Sequence, residues 1–343
     1  MACTESEVED PDNTVPKYTI PVSYSTFEDV DFSGQTTRLD MLGEIGAYVK
    51  TANTPGIRLD AAKLKSMLAN SGNPFSKDPL NTSGKQLKNK TFEPDQAYFE
   101  ALFDSAAAAS QDSTLGAKGK AGVIIASNGT SKYLMSSKGL EYAQLIEKGL
   151  MGALSYYQAT AVYLDSAGKL ATSVTDSAKA HHWDEAYGYF TSSTKFPEEG
   201  KERFWAKYTN NADKHIGSNA KILRAFVKGR AAIVYKDRQS MLEAIDSVRY
   251  EWERVSAASA IHYLNAVKTA LTDDGARNHQ LSEGIAFVRA LKYNPAKKIS
   301  TSQLAEIEGF IGSDFYEVTQ SGLDSAIDLL SGIYGLNDVK TNL

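Results

Sequence analysis

Apolar residues recur at helical spacing along most of this chain. The longest run starts after Gly139, where Leu140, Ala143, Leu145, Ile146, Leu150, Met151, Leu154 and Tyr157 share a face and predict roughly 25 residues of amphipathic helix. Upstream, residues 36–50 and 60–69 carry the same spacing with a Pro/Gly break between them. Phe92–Ala109 is a further helix, with Pro94 near its first turn, where proline is tolerated. Residues 70–91 read as loop. After a Ser/Thr/Gly/Lys connector over 166–180, a short helix is expected around His181–Phe190, closed by a loop over 191–199. Beyond Glu202 three long helices are predicted, at 212–235, 238–269 and 275–293, the last ended by Asn294 and Pro295. Shorter helices at 302–310 and 323–330 complete the pattern.

No regular alternation of strands with helices is present, which disfavours a doubly wound sheet or a barrel. The fold class is therefore all-α. A helical domain is expected over 17–343, in two bundle halves of approximately 36–190 and 202–343. The β-prone segment 17–35 reads as an extended N-terminal piece wrapping the body. Alanine runs such as Ala106–Ala109 and Ala257–Ala260 let helices approach closely.

Composition sharpens this picture. With 343 residues and 42% hydrophobic content, the chain has ample material for a large core and is not a disordered one. Lys and Arg number 37 against 42 Asp and Glu, and five of the acids (Glu5, Glu7, Glu9, Asp10, Asp12) fall in the first twelve residues. The remainder balances, so the concentrated basic footprint of a nucleic-acid binder is missing. The single cysteine, Cys3, rules out an intramolecular disulfide and a thiolate cluster. Cys3 has two readings: a chance residue at a chain boundary, or the acceptor of a lipid after removal of a signal peptide. Residues 1–16, acidic, without aromatics and with two prolines, suit a flexible tether for the second. No apolar run approaches the ~18 residues of a membrane span. On the second reading the protein is exported, a periplasmic or cell-surface lipoprotein that meets the membrane only through a lipid on Cys3.

Candidate chemistry centres on histidine. Of five imidazoles, three, in two runs, sit with carboxylates at helical spacing. In HHWDE, His182 and Glu185 are three apart, about 60° around a helix, and His181 and Glu185 four apart, about 40°. In NHQLSE, His279 and Glu283 are again four apart on one face. Such pairs can ligate one divalent metal from a single element, as in metal-binding helix bundles. They serve equally as buried polar networks that lock helices together. EAYGYF (Glu185 to Phe190) and EGIAF (Glu283 to Phe287) also form a faint internal repeat.

The run HWDEAYGYF, His182 to Phe190, resembles the histidine-x-x-glutamate signature of the imelysin-like family, in its Bacteroidetes-type lipoprotein branch of unknown function. KGLMGA (Lys148 to Ala153), AFVKGRAAI (Ala225 to Ile233), Glu251 to Asn265 and His279 to Phe287 extend the resemblance over about residues 135–295. It implies an exported, all-helical protein of two bundle halves, often encoded near iron-uptake functions, with an envelope or iron-uptake protein as partner. Some members of that family were classed as metallopeptidases, and related iron-uptake components hold metal through the signature. In this chain Ala180 stands where the signature has glycine, His181 occupies the intervening position, and Trp183 and Asp184 also depart from many relatives.

The candidate metal ligands are thus His182, Glu185, His279 and Glu283, with His181 as a further donor, and the expected metal is Fe or Zn. No organic cofactor is signalled: Gly116 to Gly122 lacks the order of glycine, lysine and hydroxyl that a phosphate loop requires. Gln144 and Glu147, three apart on the same helix, read as a solvated face or as candidates to face the first pair. Glu251, Glu253 and Arg254 read as an ion-pair set, and Arg224 or Arg230 as a buried partner for a signature carboxylate. His215, near a predicted helix start, and His262 read as packing or surface residues. Eighteen tyrosines suit either a glycan or peptide groove or helix packing. Three functions follow as expectations: a metal-binding lipoprotein in an uptake or envelope role, a structural or partner-binding helical lipoprotein without metal, and a metal-dependent peptidase.

Overall fold

The computed structural model describes residues 18–168, 174–198 and 200–343. The tether over 1–16, Cys3, and part of the 166–180 connector lie outside the described residues. The fold is all-α. Helices α1 (Ser33–Thr51), α2 (Ala61–Ala69), α3 (Asp78–Asn81) and α4 (Gln96–Ala109) precede the hairpin β1 (Gly122–Ile125) and β2 (Lys132–Met135). Then come α5 (Tyr142–Leu150), α6 (Leu164–Gly168), α7 (Asp176–Phe190), α8 (Phe204–Ile216), α9 (Ser218–Val234) and α10 (Arg238–Thr269). The chain closes with α11 (Asp274–Ala290), α12 (Thr301–Ile311) and α13 (Gln320–Tyr334). Side-chain caps set many of the starts. Asp60 Oδ1 accepts from the Ala62 amide at 2.8 Å to begin α2, and Asp273 Oδ1 from the Ala276 amide at 3.0 Å to begin α11. Ser300 and Gln303 form a reciprocal capping box at α12.

The long α10 packs along α9 and α11, and α11 in turn packs on α5. The buried apolar residues form one cluster from Tyr24 to Leu343. All three tryptophans are fully buried within it, and Trp205 and Trp252 meet edge to face at 5.8 Å. The expected N-terminal wrap is present. Residues 18–32 are non-helical apart from a turn at Tyr24–Thr26, Tyr18 stacks on Tyr235 at 4.3 Å, and Tyr24 stacks on Tyr187 at 3.7 Å.

Three features depart from the sequence pattern. The single helix expected over 212–235 is two, because Gly217 adopts φ +61° and turns the chain out of α8 into α9. Ala212, Ile216 and Ile222 remain on the buried side across the break, so apolar spacing does not register it. The helix after Gly139 is α only to Leu150; two successive π-helical stretches, Met151–Tyr156 and Gln158–Tyr163, carry it into α6. The hairpin is unassigned by helical spacing. Its β-branched Val123, Ile124 and Ile125 pair antiparallel with Lys132–Met135 across a turn holding Asn128 and Gly129, the latter at φ +73°.

Candidate functional site

Helix α7 divides its faces between two neighbours. Thr175 caps it, its hydroxyl accepting from the Ala178 amide at 3.2 Å. Trp183 lies flat against α9, where a Cβ on Gly229 would fall 2.0 Å from the indole, so only glycine permits this approach. The indole N–H donates to the Phe226 carbonyl at 2.9 Å, which fixes the rotation of α7. With Trp183 and Asp184 committed to α9, His182 and Glu185 turn toward α1 and the second π stretch.

There Gln35 Nε2 donates to Glu185 Oε1 at 2.9 Å, orienting the carboxylate. Its other oxygen, Oε2, stands 3.2 Å from His182 Nδ1 and 3.8 Å from His181 Nε2. Both imidazoles reach solvent, with the His181 side chain 52% and the His182 side chain 31% exposed. Tyr163 closes the inner side, its ring 6.0 Å from that of His182 and its hydroxyl accepting from Lys90 Nζ at 3.0 Å. Burial and the Glu185 charge push the Tyr163 phenol up to about 12, so it remains a neutral donor at physiological pH. Burial, then Arg38, lowers the Lys90 ammonium.

The second pair is a different object. His279 Nδ1 is 2.5 Å from Oε2 of Glu141, a buried carboxylate at the start of α5, while His279 Nε2 faces Glu283 Oε1 at 3.6 Å. Tyr133 of the hairpin stacks on the imidazole at 4.3 Å, and Tyr208 donates to Glu283 Oε2 at 3.3 Å. Burial opposes charge on His279, but the hydrogen bond to Glu141 and its charge outweigh burial and raise the imidazole above its ordinary value. Nearby, Glu147 accepts from both Lys50 and Lys148 at 2.5 Å and is therefore not available to the first pair.

A raised histidine stabilises the fold fully below its unfolded value of about 6.5 and loses that contribution as pH rises through the folded value. Stability measured by urea midpoint should therefore fall as pH climbs above about 6.5 more steeply in the wild type than in His279→Gln. Equal slopes would show that the Glu141–His279 contact carries no linkage.

The four predicted ligands are thus not brought together. Helix α7 packs on α1, α9 and the second π stretch, whereas α11 packs on α10 and α5. Among the described residues, no group of three or more His, Cys, Asp or Glu side chains is arranged to hold a metal ion as it stands. Gln144 is buried with its Oε1 unpartnered. Glu251 and Arg254 pair at 3.7 Å, in line with their sequence pattern, while Glu253 is fully buried instead. His215 occupies the last turn of α8 rather than a helix start, because α8 begins at Phe204. It lines, with His262, Tyr208 and Tyr263, a cavity of about 590 Å³ between α8 and α10.

Sequence spacing missed Gln35, Glu141 and Tyr163, which lie far from their partners in the chain. It anticipated a buried arginine. Arg230 Nε donates to Asp184 Oδ1 at 2.9 Å, although this carboxylate is one of the two residues between His182 and Glu185 rather than Glu185 itself. Tyr24 donates to the same Oδ1 at 2.5 Å.

An all-helical body with a half-exposed imidazole–carboxylate rim and a separate, internal histidine network belongs to the class of helical proteins with a polar surface site. Residues 21–312 match the family described as Domain of unknown function (DUF4856), and the chain belongs to that family. Both histidine runs and Arg230 fall within the matched span. No curated protein and no solved structure matches the chain.

Proposed function

We propose that this protein is an exported, lipid-anchored envelope protein that holds a divalent cation, Fe or Zn, at His182 and Glu185. The observation carrying this reading is the asymmetry of the Glu185 carboxylate. One oxygen is fixed by Gln35, and the other is turned toward two solvent-reaching imidazoles at 3.2 and 3.8 Å. Two imidazoles and one carboxylate are a donor set that suits Zn and non-haem Fe and leaves positions open. His181, the most exposed of the three, is the donor that must rotate inward. Lys90 and Arg38 on the inner side weaken cation binding, so the site suits reversible loading rather than permanent storage. The imelysin-like resemblance and the acidic tether after Cys3 support export and an uptake role.

His279 and Glu283 are assigned differently. The imidazole has its Nδ1 committed to Glu141 and its ring covered by Tyr133, which favours an internal lock over a metal ligand.

The test is metal content and titration with Fe, Zn and Ca. Wild type should bind one equivalent with about micromolar affinity or better. His182→Ala/Glu185→Gln should lose it while remaining folded, and His279→Gln should retain it. No binding by wild type, or equal binding by the double variant, would overturn the assignment.

A further inference from the structure

A second, larger opening lies on the other side of α7. The loop 26–29, the first turns of α7 and the end of α9 enclose a cavity of about 700 Å³. At its base is Arg230, whose side chain is only 7% exposed. Its Nε is used by Asp184 and its guanidinium rests over the Phe27 ring at 5.3 Å. Among the described residues, the guanidinium donates its side-chain hydrogen bond from Nε, and neither Nη nitrogen donates one. A buried guanidinium with its terminal fork unpartnered is a ready site for a carboxylate, which it meets with two parallel hydrogen bonds.

The rim carries the opposite charge. Glu28 and Asp29 are both exposed, and among the described residues neither has a cationic partner. Asp29 is held at φ +55°, a left-handed conformation that aspartate tolerates better than most residues. Asp176, also on the rim, is already occupied by Lys179 at 3.1 Å and Lys236 at 3.6 Å. The remaining wall combines the apolar Phe27, Ala180, Ile233 and Val234 with Ser177, His181 and Lys236, the last paired with Asp176. Val234 is 53% exposed although it is a large aliphatic residue.

These charges select against simple ions. A plain anion that reached Arg230 would pass Glu28 and Asp29, and a plain cation at the rim would face Arg230 and Lys236. A ligand that carries both charges on adjacent atoms satisfies both. We propose that this cavity binds a free α-amino acid with an apolar side chain. Its carboxylate sits on the Arg230 fork, its ammonium meets Glu28 and Asp29, and its side chain lies against Phe27, Ile233 and Val234. His181 lines this cavity as well as the rim around Glu185, so the two sites share one residue, and the cavity is tested with the cation removed.

Isothermal titration of the full chain in chelator with L-leucine, glycine, N-acetyl-L-leucine and L-leucinamide tests this. Leucine should bind, and glycine and each charge-blocked derivative should bind at least about tenfold more weakly. Glu28→Gln/Asp29→Asn, on an exposed loop, should weaken leucine by a similar factor without weakening N-acetyl-leucine. Arg230→Lys, which keeps a cation for Asp184 but removes the fork, should abolish carboxylate recognition. Absence of leucine binding, or N-acetyl-leucine binding as tightly as leucine, would overturn the proposal. Because the titration is done in chelator, either result is separate from the fate of the metal site.

Discussion

Asp184→Ala is expected to destabilise the protein by about 3 kcal/mol, the lower end for breaking a buried ion pair. The carboxylate is 1% exposed and its Oδ1 accepts from both Arg230 Nε and the Tyr24 hydroxyl. Removing it leaves a buried guanidinium without its counter-charge and a fully buried phenol without a partner. The loss falls at the lower end because the Arg230 Nη groups face the open cavity, where water can reach them. Asp184→Asn keeps an acceptor for both donors and should lose less. Asp184→Leu/Arg230→Met removes both charges and should recover most of the stability, since apolar replacement of a whole buried pair is often neutral. Urea midpoints of the three variants decide the matter. If the double variant is no more stable than Asp184→Ala, charge imbalance is not the cause.

Glu253→Ala should cost more, about 3–5 kcal/mol, because several buried donors lose their acceptor together. Glu253 is 1% exposed in the middle of α10. Its Oε1 accepts from the Tyr334 hydroxyl at 2.5 Å and the Lys298 amide at 2.8 Å, and its Oε2 from Asn294 Nδ2 at 2.7 Å. One carboxylate thereby joins α10, the segment before α12, and α13. Burial pushes its acid up, against the effect of the three donors. Glu253→Gln keeps one carbonyl oxygen for Tyr334 and Lys298 but sets an amide against Asn294, so it should lose only part of this stability. Thermal unfolding of both variants checks the order; equal losses would mean that charge, not acceptor count, matters at this position.

The helical class was legible because the apolar spacing is long and regular, and most helix positions follow from it to within a few residues. What spacing could not show are breaks that leave the buried face in register. Gly217 splits α8 from α9 without displacing Ala212, Ile216 or Ile222. The hairpin did carry a signal, β-branched Val123–Ile125 followed by Asn128–Gly129, but a short strand pair in a helical chain has no period of its own to stand out. For the site, the local pairs His182–Glu185 and His279–Glu283 were readable because three and four residues are fixed distances on a helix. Their distant partners were not. Gln35 is 150 positions from Glu185, and Glu141 is 138 from His279. Nothing in one sequence ties such residues together, and those partners are what separate an open rim from a sealed network.

The N-terminal wrap sets an order of events during folding. Tyr24 bonds to Asp184 across 160 positions, and Tyr18 to Asp237 across 219. Closing loops of that length is entropically costly and slow, so these contacts are expected to follow the assembly of α7, α9 and α10. A segment that precedes its partner helices in the chain is therefore among the last to find its place. Thr26 to Asp29, one wall of the cavity over Arg230, belongs to this late segment. Until it docks, Arg230 has half a chamber around it, and a ligand held there would report that this wrapping segment has finally closed over the helices it follows in folding.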